Sequence, residues 1–264
     1  MSQSIETTVD ALDTQLRELG TPKRAAGEKR YLKSALVFYG VTVPAVRKLA
    51  KQLMAGQLAP ASVPKAALLD LVRALWAPPQ ATGRKSSKAV GSGTETAVHE
   101  RRSLAITLLE ARVEDLQVKD LRFVESLLRE CEGWAHIDWL SAHVAGSLVR
   151  RFASAKKALD RWAKDESFWL RRSALLALLV DLRAGGGDFE HFARLAEPML
   201  DEREFFIRKT IGWVLRDTSK KRPELVEAFV HAHLPRLSRL TLREAIRHLP
   251  AATRDPLLAA HAAR

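Results

Sequence analysis

The chain has 264 residues, with 43 lysines and arginines against 31 aspartates and glutamates, a net charge of +12 and 47% hydrophobic residues. That composition can bury a core and excludes a disordered chain, and no apolar run approaches the roughly 18 residues that span a bilayer. The single Cys131 excludes an internal disulfide and fits a reducing compartment.

The opening MSQSIETTVDALDTQLRELG is an acidic amphipathic stretch without the basic start and apolar centre of a signal peptide. The expectation is a soluble cytoplasmic protein. Helical periodicity then runs over 5–19, 44–56 and 64–76, with Pro44 and Pro64 early in their helices and Pro78-Pro79 as a stop. Residues 80–96 (QATGRKSSKAVGSGTET) read as a mobile Gly/Ser/Thr-rich loop carrying Arg84, Lys85 and Lys88. Further helices are predicted over 97–111, 118–131, 136–153, 155–164 and 168–183, then, after the Gly185-Gly186-Gly187 connector, over 189–199, 204–220, 223–232 and 241–248. No stretch sustains period-two alternation, so no sheet is assigned.

Within this run the chain repeats itself. Segments starting at 101 (RRSLAITLL), 136 (HIDWLSAHV), 171 (RRSALLALL), 208 (RKTIGWVLR) and 243 (REAIRHLPA) are spaced 35 to 37 residues apart. A period of this size marks a helical repeat array, in which each helix pair buries its apolar stripe against its neighbours. The expected architecture is an all-α, HEAT-like solenoid forming one domain over 1–264 with a concave basic groove.

With the first residue of each segment as position zero, positions +3, +4, +7 and +8 form an apolar stripe, held for example by Leu104, Ala105, Leu108 and Leu109. Positions +1, +2 and +5 point the other way, toward the face an array uses for binding. There sit Arg172 (+1), Asp138 (+2) and Trp213 (+5), whereas +2 elsewhere holds the small residues Ser103, Ser173, Thr210 and Ala245. Asp138 is therefore a candidate catalytic carboxylate rather than a helix-capping aspartate. Trp134, at −2 on the same side, shares its register with His99, Trp169 and Phe206, so packing and site roles weigh equally for it. Packing is favoured for Trp169 and Phe206, and Trp139 and Trp76 fall on apolar stripes. Arg172 would give a bidentate phosphate contact beside the carboxylate.

The excess of positive charge favours a polyanionic partner, because phosphate neutralisation supplies most non-specific nucleic-acid affinity. Basic clusters recur along the whole chain, which suits a groove tracking a backbone. Arg102, Arg171, Arg172, Lys209, Lys220, Arg243 and Arg247 are the candidate DNA contacts. Eight histidines are scattered without HExxH or a Cys/His cluster, and neither GxSxG nor a P-loop is present. No metal and no cofactor is expected.

These residues resemble the AlkD-type DNA alkylation-repair glycosylases, a family of HEAT-like solenoids. The resemblance is most specific in FFIRKTIGWVLRDTSKKRP (205–223) followed by LSRLTLREAIRHL (237–249), with support from WLRRSAL (169–175), Trp134-x-x-x-Asp138 and YLKSALVFYGVTVPAVRKLAK (31–51). It implies that Asp138 is catalytic, that Trp134 and Trp213 pack on the deoxyribose, and that Arg172 lies in the groove. It also implies an alkylpurine DNA glycosylase that excises cationic purines such as 3-methyladenine and 7-methylguanine from duplex DNA without flipping the base. Such a protein would act as a monomer, associated with the nucleoid. Where many relatives carry an acidic residue after the first tryptophan, this chain has Ala135 and His136. The alternatives are a non-catalytic HEAT-repeat protein that binds damaged or branched DNA, and a protein-interaction scaffold.

Overall fold

Helices, one after another along the sequence, make up the computed structural model, in which residues 3–56, 64–79 and 96–263 are described. The loop predicted over 80–96 lies outside those residues except for Thr96. Two units are distinguished, Met1–Leu116 with Cys131–His136, and Gln117–Glu130 with Ile137–Arg264.

The first unit contains α1 (Gln3–Leu19), α2 (Pro22–Leu32), α3 (Val43–Met54), α4 (Lys65–Trp76) and α5 (His99–Ala111). Helix α3 starts where the sequence placed Pro44: the Thr42 hydroxyl accepts the Ala45 N–H at 3.3 Å, a side-chain cap for an otherwise unpaired donor. Helix α5 packs against both α3 and α4. The chain before α3 is held by Glu100, a buried carboxylate that accepts the backbone N–H groups of Tyr39, Gly40 and Val41 at 3.0, 2.5 and 3.1 Å. Gly40 is required there, since its φ is +82° and a Cβ would lie 2.2 Å from the Thr21 carbonyl. The expectation of no sheet holds among the described residues apart from one isolated parallel bridge between Val37 and Val98.

The second unit contains α6 (Leu121–Arg129), the second half of α7 (Trp134–Trp139), a π-helical segment (Leu140–Ala145), α8 (Gly146–Arg151), α9 (Lys156–Trp162), α10 (Phe168–Leu176), α11 (Leu179–Arg183), α12 (Phe189–Ala196), α13 (Phe205–Ser219), α14 (Pro223–His233), α15 (Arg239–Ala245) and α16 (Ala251–Ala262). Asp188, Glu204 and Ser238 cap α12, α13 and α15 by accepting the N–H groups of His191, Phe206 and Thr241 at 2.8, 3.1 and 3.0 Å. The second helices of successive pairs lie side by side: α10 packs on the π-helical segment and on α13, and α13 packs on α15. Gly212 permits the α13–α15 approach, because a Cβ there would fall 2.6 Å from the Glu244 Cβ and 3.0 Å from the Thr241 carbonyl. Ion pairs join adjacent repeats at separations of 34 to 36 residues, as in Arg183–Asp217, Lys209–Glu244 and Arg129–Asp165.

The apolar stripe is buried as expected, with Leu104, Ala105, Leu108, Leu109, Ala174 and Leu175 all at 0% exposure. The opposite face is not the open surface that the helical wheel suggested. Ser103, Ile106, Arg172, Ser173, Leu176 and Thr210 are buried as well. A second helix in this array has a neighbour on each side as well as beneath, so small residues at +2 serve close lateral packing. Asp138, Lys209, Trp213 and Glu244 are half-buried exceptions, and His248 is exposed.

Candidate active site

Asp138 is presented from α7 immediately before the π-helical segment Leu140–Ala145. Single π-turns widen a helix locally and recur at functional sites. Just beyond this one, Gly146 allows the chain to approach α10, since a Cβ would sit 2.6 Å from the Ala177 carbonyl.

The Asp138 carboxylate is held by Arg172 of α10 in a two-pronged pair: Nε donates to Oδ1 at 2.7 Å and Nη2 donates to Oδ2 at 2.7 Å. The remaining guanidinium nitrogen, Nη1, donates to the Phe206 carbonyl at 2.9 Å and to the Thr210 hydroxyl. Arg172 is therefore a buried anchor whose side chain is only 4% exposed, against 17% for Asp138. Planar bidentate pairing fixes both the position and the orientation of a carboxylate. Burial, the dominant influence, pushes the Asp138 carboxyl above the ordinary carboxylate range, opposed by the hydrogen bonds and charge of Arg172. The guanidinium also lies 5.9 Å from the Trp213 ring centroid and 5.6 Å from that of Phe206. Asp138, Arg172 and Trp213 are thus brought together from α7, α10 and α13.

Trp213 is half-buried, and its indole N–H donates to Asp217 Oδ2 at 3.0 Å. Trp134 stands in the first unit, half-buried, edge-on to the exposed Tyr31 with ring centroids 5.8 Å apart. Trp169 and Phe206 pack on each other at 4.8 Å and Trp76 is fully buried, as the sequence suggested, whereas Trp139 is only half-buried.

The seven candidate DNA contacts divide sharply. Arg102 is buried, with its guanidinium 4.9 Å from the Trp76 ring and Nε donating to the Trp76 carbonyl at 3.2 Å. Arg171 forks onto Glu202 at 2.9 Å twice over and donates to the carbonyls of Asp165 and Glu166. Lys209 pairs with Glu244 at 2.6 Å, and Lys220, although exposed, pairs with Asp217 at 3.1 Å. Arg243 and Arg247 are exposed. The phosphate contact expected of Arg172 is replaced by its engagement with Asp138. An arginine near a helix start reads the same in sequence whether its charge faces solvent or a carboxylate one repeat away.

Two features escaped the sequence reading. His136, which follows the atypical Ala135, is buried in an aromatic column with His99 at 4.5 Å and Trp76 at 5.9 Å, and its Nε2 lies 3.2 Å from the His99 carbonyl. Burial, with Arg102 nearby, lowers His99 to about 4, and burial with the His99 and Arg102 charges takes His136 well below its ordinary value. The other is Asp217, which follows Trp213 at the same spacing that separates Trp134 and Asp138. That repeated W-x-x-x-D was the available signal.

A sequence model of the DNA alkylation repair enzyme family matches residues 12–249. Among solved structures, the chain is similar to one described as a predicted DNA alkylation repair enzyme from Enterococcus faecalis, at 25% identity and TM-score 0.71, covering 88% of this chain and 97% of that one. It shares its fold with a Streptococcus mutans UA159 protein at 17% identity and TM-score 0.51, covering 79% of this chain and 99% of that one. No curated protein matches.

Proposed function

We propose a specific activity for this chain, which belongs to the DNA alkylation repair enzyme family: it is a monofunctional DNA glycosylase that releases cationic alkylated purines, of the 3-methyladenine and 7-methylguanine type, from duplex DNA. The observation that carries this reading is the single oriented carboxylate, Asp138, locked by Arg172 beside the Trp213 indole.

Ordinary glycoside hydrolysis uses one carboxyl group to protonate the leaving group and a second for water or sugar. A purine alkylated at N3 or N7 already carries a positive charge, so the glycosidic bond breaks with its electrons going to a neutral base and no proton donor is needed. What remains is to stabilise the oxocarbenium-like sugar and to orient the water that adds to it. One ionised carboxylate in a partly desolvated site meets both needs, and Arg172 favours that ionised form. The indole face of Trp213 attracts the same developing charge. The nucleotide stays stacked in this reading, as the sequence resemblance implies, with the sugar approached from the backbone side.

The complete engagement of Arg172 favours a second reading, in which Asp138–Arg172 is a structural pair in a protein that binds damaged or branched DNA without cutting it. Purified protein incubated with duplex DNA containing 7-methylguanine or 3-methyladenine separates the two. Release of free base by the wild type, and its loss in Asp138→Asn, is the expected outcome. A wild-type protein that binds this DNA and releases no base leaves only the second reading.

A further inference from the structure

Trp213 sits mid-helix on α13, half-buried, where a large ring held by packing alone has rotamers to choose from. One turn further along the same helix, Asp217 removes that choice. Its Oδ2 accepts the Trp213 indole N–H at 3.0 Å and is itself held by Arg183 of α11, with Nε at 2.8 Å and Nη2 at 2.7 Å. Its Oδ1 accepts from Lys220 Nζ at 3.1 Å and lies 3.5 Å from Arg216 Nε. The Asp217 side chain is 5% exposed, too buried to reach a bound duplex.

A buried aspartate answered by cations needs no indole to complete it, yet the indole edge is aimed at it. The Arg172 guanidinium, which orients Asp138, lies 5.9 Å from the centroid of the same ring. Trp213 is therefore fixed at two points, its N–H edge by Asp217 and its π system by the anchor of the candidate catalytic carboxylate. A carboxylate on the N–H edge also makes the ring more attractive to a cation. Burial is the largest influence on the Asp217 carboxyl and pushes it up, but the hydrogen bonds from Lys220, Arg183 and Trp213 with the charge of Arg183 outweigh it and hold the group below the ordinary carboxylate range. It is a lasting anion at neutral pH.

We propose that Asp217 is a positioning residue for base release: by accepting the indole N–H it fixes Trp213 in the orientation that presents the ring to the substrate sugar. The inference rests on the glycosylase reading above. It assigns Asp217 no contact with DNA and no part in the chemistry, so its effect should travel entirely through Trp213.

The test is a double-mutant cycle with a spectroscopic readout on the full chain. Asp217→Asn, Trp213→Phe and the double variant are compared in single-turnover release of 7-methylguanine from duplex DNA. The same proteins, labelled with 5-fluorotryptophan, are observed by fluorine NMR, the Trp213 resonance being the one that Trp213→Phe removes. Asp217→Asn is expected to slow release by about tenfold, a size within the couplings measured between contacting residues, and to shift the Trp213 resonance while leaving the others in place. In the Trp213→Phe background the same substitution should change the rate by less than about twofold. Because Arg183, Arg216 and Lys220 keep their charges, Asp217→Asn risks misfolding. Asp217→Glu keeps the anion while displacing the acceptor by one methylene, and should give the same resonance shift and a smaller rate loss. An equal rate loss in both tryptophan backgrounds, or an unmoved Trp213 resonance in Asp217→Asn and Asp217→Glu, overturns the proposal. If the wild type releases no base, the glycosylase reading fails and the rate claim with it. The resonance still decides whether Asp217 holds the indole.

Discussion

Replacing Asp138 by asparagine is the most incisive perturbation, because it should separate what the Asp138–Arg172 pair does for chemistry from what it does for stability. Asparagine keeps the shape of the side chain and one acceptor oxygen. Its amide nitrogen, however, must face one of the two Arg172 nitrogens that now donate to the carboxylate at 2.7 Å. One charge-assisted hydrogen bond, worth about 1.5–3 kcal/mol, is lost and replaced by two opposed donors. Arg172 stays charged in a site where its side chain is 4% exposed, left with the Phe206 carbonyl and the Thr210 hydroxyl. Removing one partner of a fully buried pair costs about 3–5 kcal/mol. The 17% exposure of Asp138 admits water, and its own burial penalty disappears with its charge, so the lower side of that range applies. A loss of about 3 kcal/mol lowers the melting temperature by about 6–12 °C. Below that temperature, single-turnover release of 7-methylguanine should fall by at least about 100-fold, the scale of losing one preorganised electrostatic group. Affinity for the duplex should be unchanged or tighter, since a negative charge facing phosphates is gone. A folded Asp138→Asn protein that releases base at a near-normal rate would refute the catalytic assignment.

The anchor and the surface arginines should differ in kind: Arg172→Ala slows release and lowers the melting temperature but leaves the salt dependence of DNA binding unchanged. Arg243→Ala and Arg247→Ala should each flatten that dependence by about one phosphate, and a flattened slope for Arg172→Ala would mean that its guanidinium reaches DNA. Gly212→Ala should destabilise by about 1–3 kcal/mol through overpacking of α13 on α15, read as a melting-point drop, with the 2.6 Å approach to the Glu244 Cβ as the cause. Stability should also fall in mild acid. His99 titrates near 4 when folded and near 6.5 when unfolded, so the unfolded chain takes up the proton first. The folded state thereby loses about 3 kcal/mol as pH falls from about 6.5 to about 4. In His99→Gln, melting temperature against pH should be flatter over that window, and an unaltered profile would exclude the column as the acid-sensitive element.

Periodicity in the sequence was enough to find most of the helices, though not α2 (Pro22–Leu32) or α16 (Ala251–Ala262), together with the spacing of the repeats and the apolar stripe, because the 3.6-residue turn and the need to bury one face act locally on every segment. It was also enough to single out Asp138 and Trp213, since each departs from what the other repeats hold at its position, and Arg172 by its register beside Asp138. Which charges are open was decided only by the tertiary structure. Arg102, Arg171, Arg172 and Lys209 each meet a partner contributed by another segment of the chain, and a wheel drawn for one helix cannot show its neighbours. The same blindness made Ser173 and Thr210 look like the floor of an open groove when they are buried between laterally packed helices. His136 looked like a departure from the family pattern until the aromatic column gave it a place. Asp217 went unread in the sequence, because only the fold brings Arg183 of α11 to it and makes it a fixed acceptor for the Trp213 indole. Local patterns specify helices and mark exceptions, but the pairing of one charge with another depends on distances across repeats, which only the folded array sets.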